Sequence, residues 1–314
     1  ALQQRGFDIS LIDRERPMPG PQGLGMDIRN VALSHSSRRL IESLVDWPEQ
    51  AGEFKAMHVW EQWGVNSLHF DAADLGCDCL GWVAEVAPLL SALWQKIETT
   101  PSIQTVFGEV ESVTEREGSV TLCLQERSIE ADLLIASDGA RSGVRNHLKV
   151  PTQIRPTGQM ALTTVVELEH SHQHTAWQRF LADGPLAFLP IDNKRTSIVF
   201  SIKNSNKIDK ERFKKLIIFY NKKYNIKKFN NIKYFDLKLS LLRNYIHNNI
   251  LAFGEQLHQI HPLAGQGLNM SIRDIITLSK LIDKKMDLGY PADKYLLKEF
   301  ESKAKFRNTI FATG

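Results

Sequence analysis

The chain has 314 residues, of which 42% are hydrophobic and 24% charged, and its formal net charge is +3. That length can bury a sizeable core in one large or two medium domains, and the composition excludes disordered and collagen-like classes. No apolar run is long enough for a membrane-spanning helix, and Cys77, Cys79 and Cys123 form no disulfide framework, which fits a reducing compartment.

The first clear element is the apolar run Phe7-Asp8-Ile9-Ser10-Leu11-Ile12-Asp13, which has the pattern of a buried parallel strand ending in an acid. In dinucleotide folds such an acid accepts hydrogen bonds from ribose hydroxyls. The plain alternative is a strand-end aspartate that starts a turn. Residues 32–45 predict a helix, and residues 56–60 and 68–70 predict short strands. Residues 88–97 predict a helix with Pro88 in its first turn, where a missing N–H costs little. Residues 103–107, 110–115 and 120–124 read as strands, with Glu117-Gly118 as a hairpin turn.

Residues 131–136 predict another buried strand, which delivers Asp138-Gly139 at its C-terminal end. Open α/β sheets bind ligands at that edge. The dipeptide alone reads as a turn. Ser142 and Arg145 beyond it favour a ligand role, with Asp138 holding a hydroxyl or an adjacent loop and Arg141 or Arg145 facing phosphate charge. Residues 159–169 and 186–190 predict strands joined through 177–182. Residues 196–202 continue that sheet, and 209–224 predict a helix. His170, His172 and His174 alternate, as residues on one face of a strand do, but no carboxylate joins them and no metal is assigned. Residues 277–282 and 295–311 complete a helical C-terminal region.

The densest signal is Ile260-His261-Pro262-Leu263-Ala264-Gly265-Gln266-Gly267-Leu268-Asn269. It follows a short apolar run at 250–253 and precedes a helical pattern that starts near Met270. A strand, a loop of small residues and a helix start make a surface where backbone touches a flat or anionic ligand. Glycine allows the approach, and the first turn of a helix offers unpaired N–H groups. An ordinary connection needs one glycine, whereas here Gly265 and Gly267 bracket a glutamine.

Taken with Gly254-Glu255, His258 and Arg273-Asp274, this segment resembles the second FAD-binding motif of the aromatic-ring flavoprotein monooxygenases, the group with the p-hydroxybenzoate hydroxylase fold. Three further segments agree in order, and the branch they resemble is that of the ubiquinone-biosynthesis hydroxylases. Arg29-Asn30-Val31-Ala32-Leu33-Ser34 with Ser37 matches an early signature of that branch. Asp138-Gly139-Ala140-Arg141-Ser142-Gly143-Val144-Arg145 matches its Asp-Gly motif. Gln178-Arg179-Phe180 through Gly184-Pro185-Leu186-Ala187-Phe188-Leu189-Pro190 matches a strand pair of its substrate domain.

The resemblance implies an α/β fold: a Rossmann-like FAD-binding domain with an inserted, mainly antiparallel substrate-domain sheet and a helical C-terminal region. It divides the chain into an FAD-binding part, 1–155 with 250–314, and a substrate domain, 156–249. The cofactor-binding positions it implies are Asp13, Arg29, Asp138, Gly139, Glu255, Pro262, Gly265, Gln266, Gly267, Leu268 and Asn269. The implied reaction hydroxylates an aromatic ring of a prenylated ubiquinone precursor with FAD, NADH or NADPH, and dioxygen. Such chemistry belongs mostly to the cofactor, and no triad or catalytic residue is identified. Implied partners are the aromatic substrate, a peripheral membrane contact or other ubiquinone-biosynthesis proteins, and no nucleic acid. The implied location is cytoplasmic or peripheral to the inner membrane. The alternatives are the same fold acting on another aromatic substrate, or a non-catalytic fragment unable to hold FAD.

Several positions depart from the family pattern. The opening strand and its Gly-x-Gly-x-x-Gly loop have no counterpart, and Ala1-Leu2-Gln3-Gln4-Arg5-Gly6 resembles the end of the helix that follows that loop, so the sequence reads as a fragment. Glu255 replaces an aspartate. Gln256 and Leu257 replace two small residues and are expected to crowd the cofactor.

Charge is unevenly spread. Residues 1–200 hold 17 Lys+Arg and 26 Asp+Glu, a net of −9, whereas residues 201–314 hold 22 and 10, a net of +12. The shift reads first as compositional drift or chimeric origin and next as a surface for an anionic membrane. Nucleic acid fits least, because Phe213, Phe219, Tyr220 and Tyr224 fall at helical spacing and read as core.

Overall fold

The structure is a computed structural model that describes residues 2–16, 29–49, 51–64, 67–116, 118–125, 127–150, 152–206, 208–221, 225–259 and 266–313. In chain order the first strands are β1 (Ile9–Asp13), β2 (Asn30–Leu33), β3 (Gly52–Phe54), β4 (Ala56–Glu61), β5 (Ser67–Asp71) and β6 (Gly81–Glu85). Helix α1 (His35–Glu42) follows β2, and α2 (Val86–Glu98) follows β6. Next come β7 (Ile103–Phe107), β8 (Val110–Arg116), β9 (Ser119–Leu124), β10 (Arg127–Ala131), β11 (Leu134–Ala136) and α3 (Gly143–His147). The long strand β12 (Thr152–Leu168) leads into β13 (Thr175–Leu181), β14 (Gly184–Pro190), β15 (Arg195–Lys203) and α4 (Lys210–Tyr220). The chain ends with β16 (Ile226–Phe229), β17 (Lys233–Leu242), β18 (Ile246–His247), β19 (Ile250–Ala252), β20 (His258–Gln259), α5 (Gln266–Asp287) and α6 (Lys294–Thr313).

The α/β architecture expected from the sequence is present. A nine-stranded, mainly antiparallel sheet runs β20-β17-β12-β15-β14-β13-β4-β5, with β16 also on β12. It therefore takes strands from 56–71 and 258–259 as well as from the stretch between 152 and 242. Its one parallel pair is β13 with β4. Alternate side chains of β14 and β15, among them Leu186, Phe188, Ile198 and Phe200, turn inward onto α4. There Phe213 is fully buried and stacks on Phe200 with centroids 6.2 Å apart. Each such ring contributes roughly 1.5–3 kcal/mol of burial.

Outside that sheet, two further parallel pairs are present among the described residues. β1 bonds β7, with Asp13 opposite Phe107, and β11 bonds β19, with Ala136 opposite Ala252. Among the described residues no strand bonds the other edge of β1 or of β11. Both pairs nonetheless share an apolar core, since Ile12 and Leu134 both pack against the buried cluster that holds Ala136 and Ile250. Helices α5 and α6 cover the β19 side through Leu278, Leu281, Leu297 and Phe300. Arg5 clamps the start of the chain to α5 by a two-bond contact with Asp283, at 2.5 and 2.6 Å. No helix among the described residues is long and apolar enough to cross a membrane.

Four expectations are corrected. Ala32 and Leu33 are strand, not helix: β2 pairs with β6, and α1 starts only at His35. Ser34 sets that start, because its extended backbone leaves its hydroxyl to accept the Ser37 N–H at 3.3 Å. The strand expected at 131–136 is broken between β10 and β11. The link expected at 177–182 is largely strand β13. Phe219, expected in the core, is 62% exposed, while Tyr224 lies outside the described residues.

Candidate functional site

The parallel register places three acidic segments at strand C-termini. Asp13 ends β1, Asp138-Gly139 follows β11, and Gly254-Glu255 follows β19. Because β11 and β19 run in step, and the Phe253 N–H donates to the Ala136 carbonyl at 2.8 Å, the last two lie side by side. Asp13 is exposed and accepts the Arg14 N–H at 2.7 Å, and its carbonyl accepts the Gly108 N–H at 2.9 Å. Glu255 is exposed as well.

Asp138 is held from two sides. One oxygen accepts the Val144 N–H at 3.2 Å, in the first turn of α3, and the other accepts the Gln256 side-chain amide. Of the two roles expected for Asp138, its carboxylate performs the one of holding an adjacent loop. Gly139 then turns the chain at φ 81°, a conformation suited to glycine. Arg145 does not face outward. Its side chain is buried and donates to the Ala140 carbonyl at 2.8 Å, while Arg141 is exposed.

Gln256 and Leu257 do not crowd the strand ends, contrary to expectation. Gln256 is 1% exposed with its amide on Asp138, and Leu257 is fully buried among Phe253, Leu278 and Phe300. The 3-10 turn at Gly254–Gln256 directs both inward, so larger side chains here extend the core.

Pro262 and Gly265 lie outside the described residues, as does the side chain of Gln266, whose backbone begins α5. At Gly267 an added Cβ would meet nothing within 4 Å among the described residues. Leu268 is 39% exposed. Asn269 is buried and spends its side chain inside the protein. Its oxygen accepts the Ser34 N–H at 3.0 Å and the Ser37 hydroxyl at 2.6 Å, and its amide donates to the Ala32 carbonyl at 2.7 Å. The early Ala-Leu-Ser segment and the late Gly-Gln-Gly segment are thus joined by one side chain. Arg29, just before β2, is exposed, and its carbonyl accepts the Val86 N–H at 3.0 Å.

A buried ionic cluster escaped the sequence reading. Asp274 is fully buried and accepts from Arg307 at 2.7 Å and Asn308 at 3.0 Å, with His258 Nε2 at 3.2 Å. Burial holds the nearby Tyr245 hydroxyl up at about 12. Burial, and then Arg307, pull the Arg273 guanidinium below its ordinary value. The cluster pins α6 and β20 to α5, next to the segment that carries Pro262 and Gly265. His258 and Asp274 were visible as motif members. Their link to Arg307 and Asn308, 33 and 34 positions away, had no sequence signal.

Histidines of the 170–174 run are spent on carbonyls: His172 contacts that of Asp192, and His174 that of Glu53 at 3.1 Å.

The surface fits the FAD that the resemblance implies. Exposed carboxylates at two strand ends suit ribose hydroxyls. At Gly139, Gly254 and Gly267 no described residue comes within 4 Å of where a Cβ would stand. A 22-residue helix presents its N-terminus, which favours anionic or electron-rich groups.

Comparison with known proteins agrees. The family model described as FAD binding domain matches residues 81–308. The 3-demethoxyubiquinol 3-hydroxylase of Escherichia coli K12 is 27% identical, the alignment covering all of this chain and 83% of that protein. Ubiquinone hydroxylase UbiL of Rhodospirillum rubrum is 25% identical, over 96% of this chain and 73% of that one. The crystal structure of p-nitrophenol 4-monooxygenase PnpA from Pseudomonas putida superposes with a TM-score of 0.76 at 15% identity, covering 99% of this chain and 82% of that one. With a match over residues 81–308 and the strand-end carboxylates and glycines in place, the chain belongs to the FAD-binding domain family of flavoproteins.

Proposed function

We propose that this protein is an FAD-dependent monooxygenase that hydroxylates an aromatic ring of a prenylated ubiquinone precursor, with NADH or NADPH as reductant and dioxygen as oxidant. The observation that carries this reading is the likeness to named ubiquinone-pathway hydroxylases along almost the whole chain. The FAD that Asp13, Glu255 and the α5 N-terminus would hold would supply the redox chemistry, taking electrons from the reduced nicotinamide and delivering one oxygen atom of dioxygen to an electron-rich ring.

The chain's own residues bind and orient. Asp13 and Glu255 accept hydrogen bonds from hydroxyls of the cofactor, and Gly139 lets backbone approach it. Backbone N–H groups in the first turn of α5, at Gln266, Gly267 and Leu268, hold negative charge that develops on the ring system. The resemblance adds Pro262, Gly265 and Arg29 as cofactor-binding positions. Asn269 and Asp138 act by holding loops with their side chains rather than by touching the cofactor with them.

In this reading 1–155 with 250–314 bind the cofactor, and 156–249 cover the ring and exclude water. The prenylated substrate implies peripheral contact with a membrane.

The test is reduced-nicotinamide oxidation by FAD-loaded protein, with and without phenolic quinone precursors, together with mass analysis of the product. Substrate-stimulated oxidation with an added oxygen atom supports the reading. Flavin-loaded protein that no such phenol stimulates would sink it.

A further inference from the structure

The exposure of Phe219 marks a surface. Helix α4 buries Phe213 and Ile217 against the large sheet, with Leu216 and Tyr220 packed beside them. Its outer face carries Arg212, Lys215, Ile218 and Phe219, spaced as one helical stripe. Ile218 is 56% and Phe219 62% exposed, and both cations are exposed. A second segment reaches the same end of the helix. The Gln62 side-chain amide donates to the Tyr220 hydroxyl at 3.4 Å, and the next residue, Trp63, is 83% exposed. Trp63, Ile218 and Phe219, on two segments tied by the Gln62–Tyr220 contact, are thus each largely exposed, an apolar display that marks interaction surfaces.

Charge gives the occupant. Residues 203–228 contain 10 Lys+Arg against 2 Asp+Glu. Both acids are engaged: Asp209 caps α4 by accepting the Arg212 N–H at 2.7 Å, and Glu211 pairs with Lys214 at 2.8 Å. On the described part of α4, Lys210, Arg212 and Lys215 are exposed and set a cationic field beside an aromatic and aliphatic tip. Rings and aliphatic chains settle at the boundary of a bilayer, and lysine and arginine reach its anionic headgroups. An aliphatic Ile218 gives nothing to a stacked base, which sets this tip apart from a nucleic-acid platform.

We propose that the outer face of α4 together with Trp63 is the docking surface of this protein for an anionic lipid bilayer. This deepens the membrane contact of the proposed function and rests on it only for the reason a membrane is visited.

The test is flotation of the purified chain with vesicles of phosphatidylcholine alone and of phosphatidylcholine with phosphatidylglycerol, with no flavin or substrate present. Binding is expected only with phosphatidylglycerol, and it weakens as salt is added. Each of Arg212→Ala and Lys215→Ala lowers it about fivefold. The double variant Trp63→Ser, Phe219→Ser lowers it about tenfold or more. These side chains are exposed, so circular-dichroism melting of the variants should match the parent. Equal binding to both vesicle types overturns the proposal, as does wild-type binding by the double variant. So does tRNA that the chain prefers and vesicles do not displace. A chain that floats but does not hydroxylate contradicts the enzymatic reading alone, and one that hydroxylates but does not float contradicts the docking surface alone.

Discussion

The side-chain amide of Gln256 donates a hydrogen bond to the carboxylate of Asp138 across 118 positions of sequence, locking the turn after β11 to the turn after β19. Two strand ends that would face the same ligand are thereby held in one arrangement. Gln256→Ala leaves an oxygen of Asp138 without its partner and should weaken FAD binding about tenfold, at a stability cost of roughly 1–3 kcal/mol. Equilibrium dialysis with FAD checks the first effect and thermal melting the second. Gln256→Glu should be worse and pH-dependent in a stated direction. Two carboxylates in contact raise the folded-state pKa of the pair, so stability is kept at low pH and lost as pH rises and both ionise.

Asn269 joins Ala32, Ser34 and Ser37 to the start of α5 through three hydrogen bonds. Asn269→Ala removes all three and leaves buried polar groups unpaired, for a loss of about 2–4 kcal/mol. Asn269→Asp keeps both acceptor bonds but cannot donate to the Ala32 carbonyl, and it buries a charge. Both variants should melt well below the parent. A melting temperature for Asn269→Ala equal to the parent's would show that the contact is dispensable.

Much of this was legible in sequence. Strand-end acids, the Asp-Gly turn and the glycines of the late loop are local patterns, and β7, β8, β9 and α2 follow from apolar periodicity. What was not legible depends on partners. Ala32 and Leu33 are good helix formers, yet pairing with β6 overrides their propensity. Periodicity gave the α4 stripe but not which face is covered, so Phe219 was placed in the core. The direction of the Gln256 side chain follows from the turn that carries it, which composition does not encode.

The buried Asp274 carboxylate meets a half-buried arginine, a buried histidine and a buried asparagine. Removing the carboxylate leaves Arg307, half-buried, and the buried Asn308 amide without their acceptor, so Asp274→Ala should cost about 2–3 kcal/mol. Pairing it with Arg307→Met should recover part of that loss. Denaturant unfolding of the two single variants and the double variant gives the coupling. Strictly additive effects would show that the pair is independent.

His172 makes a pH-sensitive tie. The His174 N–H donates to its Nδ1 at 3.1 Å, so Nε2 carries the proton toward the Asp192 carbonyl. Burial, the largest cause, pushes its pKa below the ordinary 6.5, and the neighbouring His174 adds to that. A second proton on Nδ1 would break the bond from His174. The folded pKa lies below the unfolded one, so this stabilisation is fully present above about pH 6.5 and is lost as pH falls through the folded value. His172→Asn, which can accept and donate in the same way but does not titrate, should flatten the stability profile below about pH 6.5. An unchanged profile would remove His172 as its source.

The central claim is that these strand ends and the α5 N-terminus hold FAD. It is tested most directly by the visible absorption spectrum of this polypeptide, purified with added FAD and freed of unbound flavin. The account predicts a bound-flavin spectrum near one flavin per chain, markedly reduced in Asp13→Ala and retained in Lys215→Ala. A folded, colourless protein would contradict it.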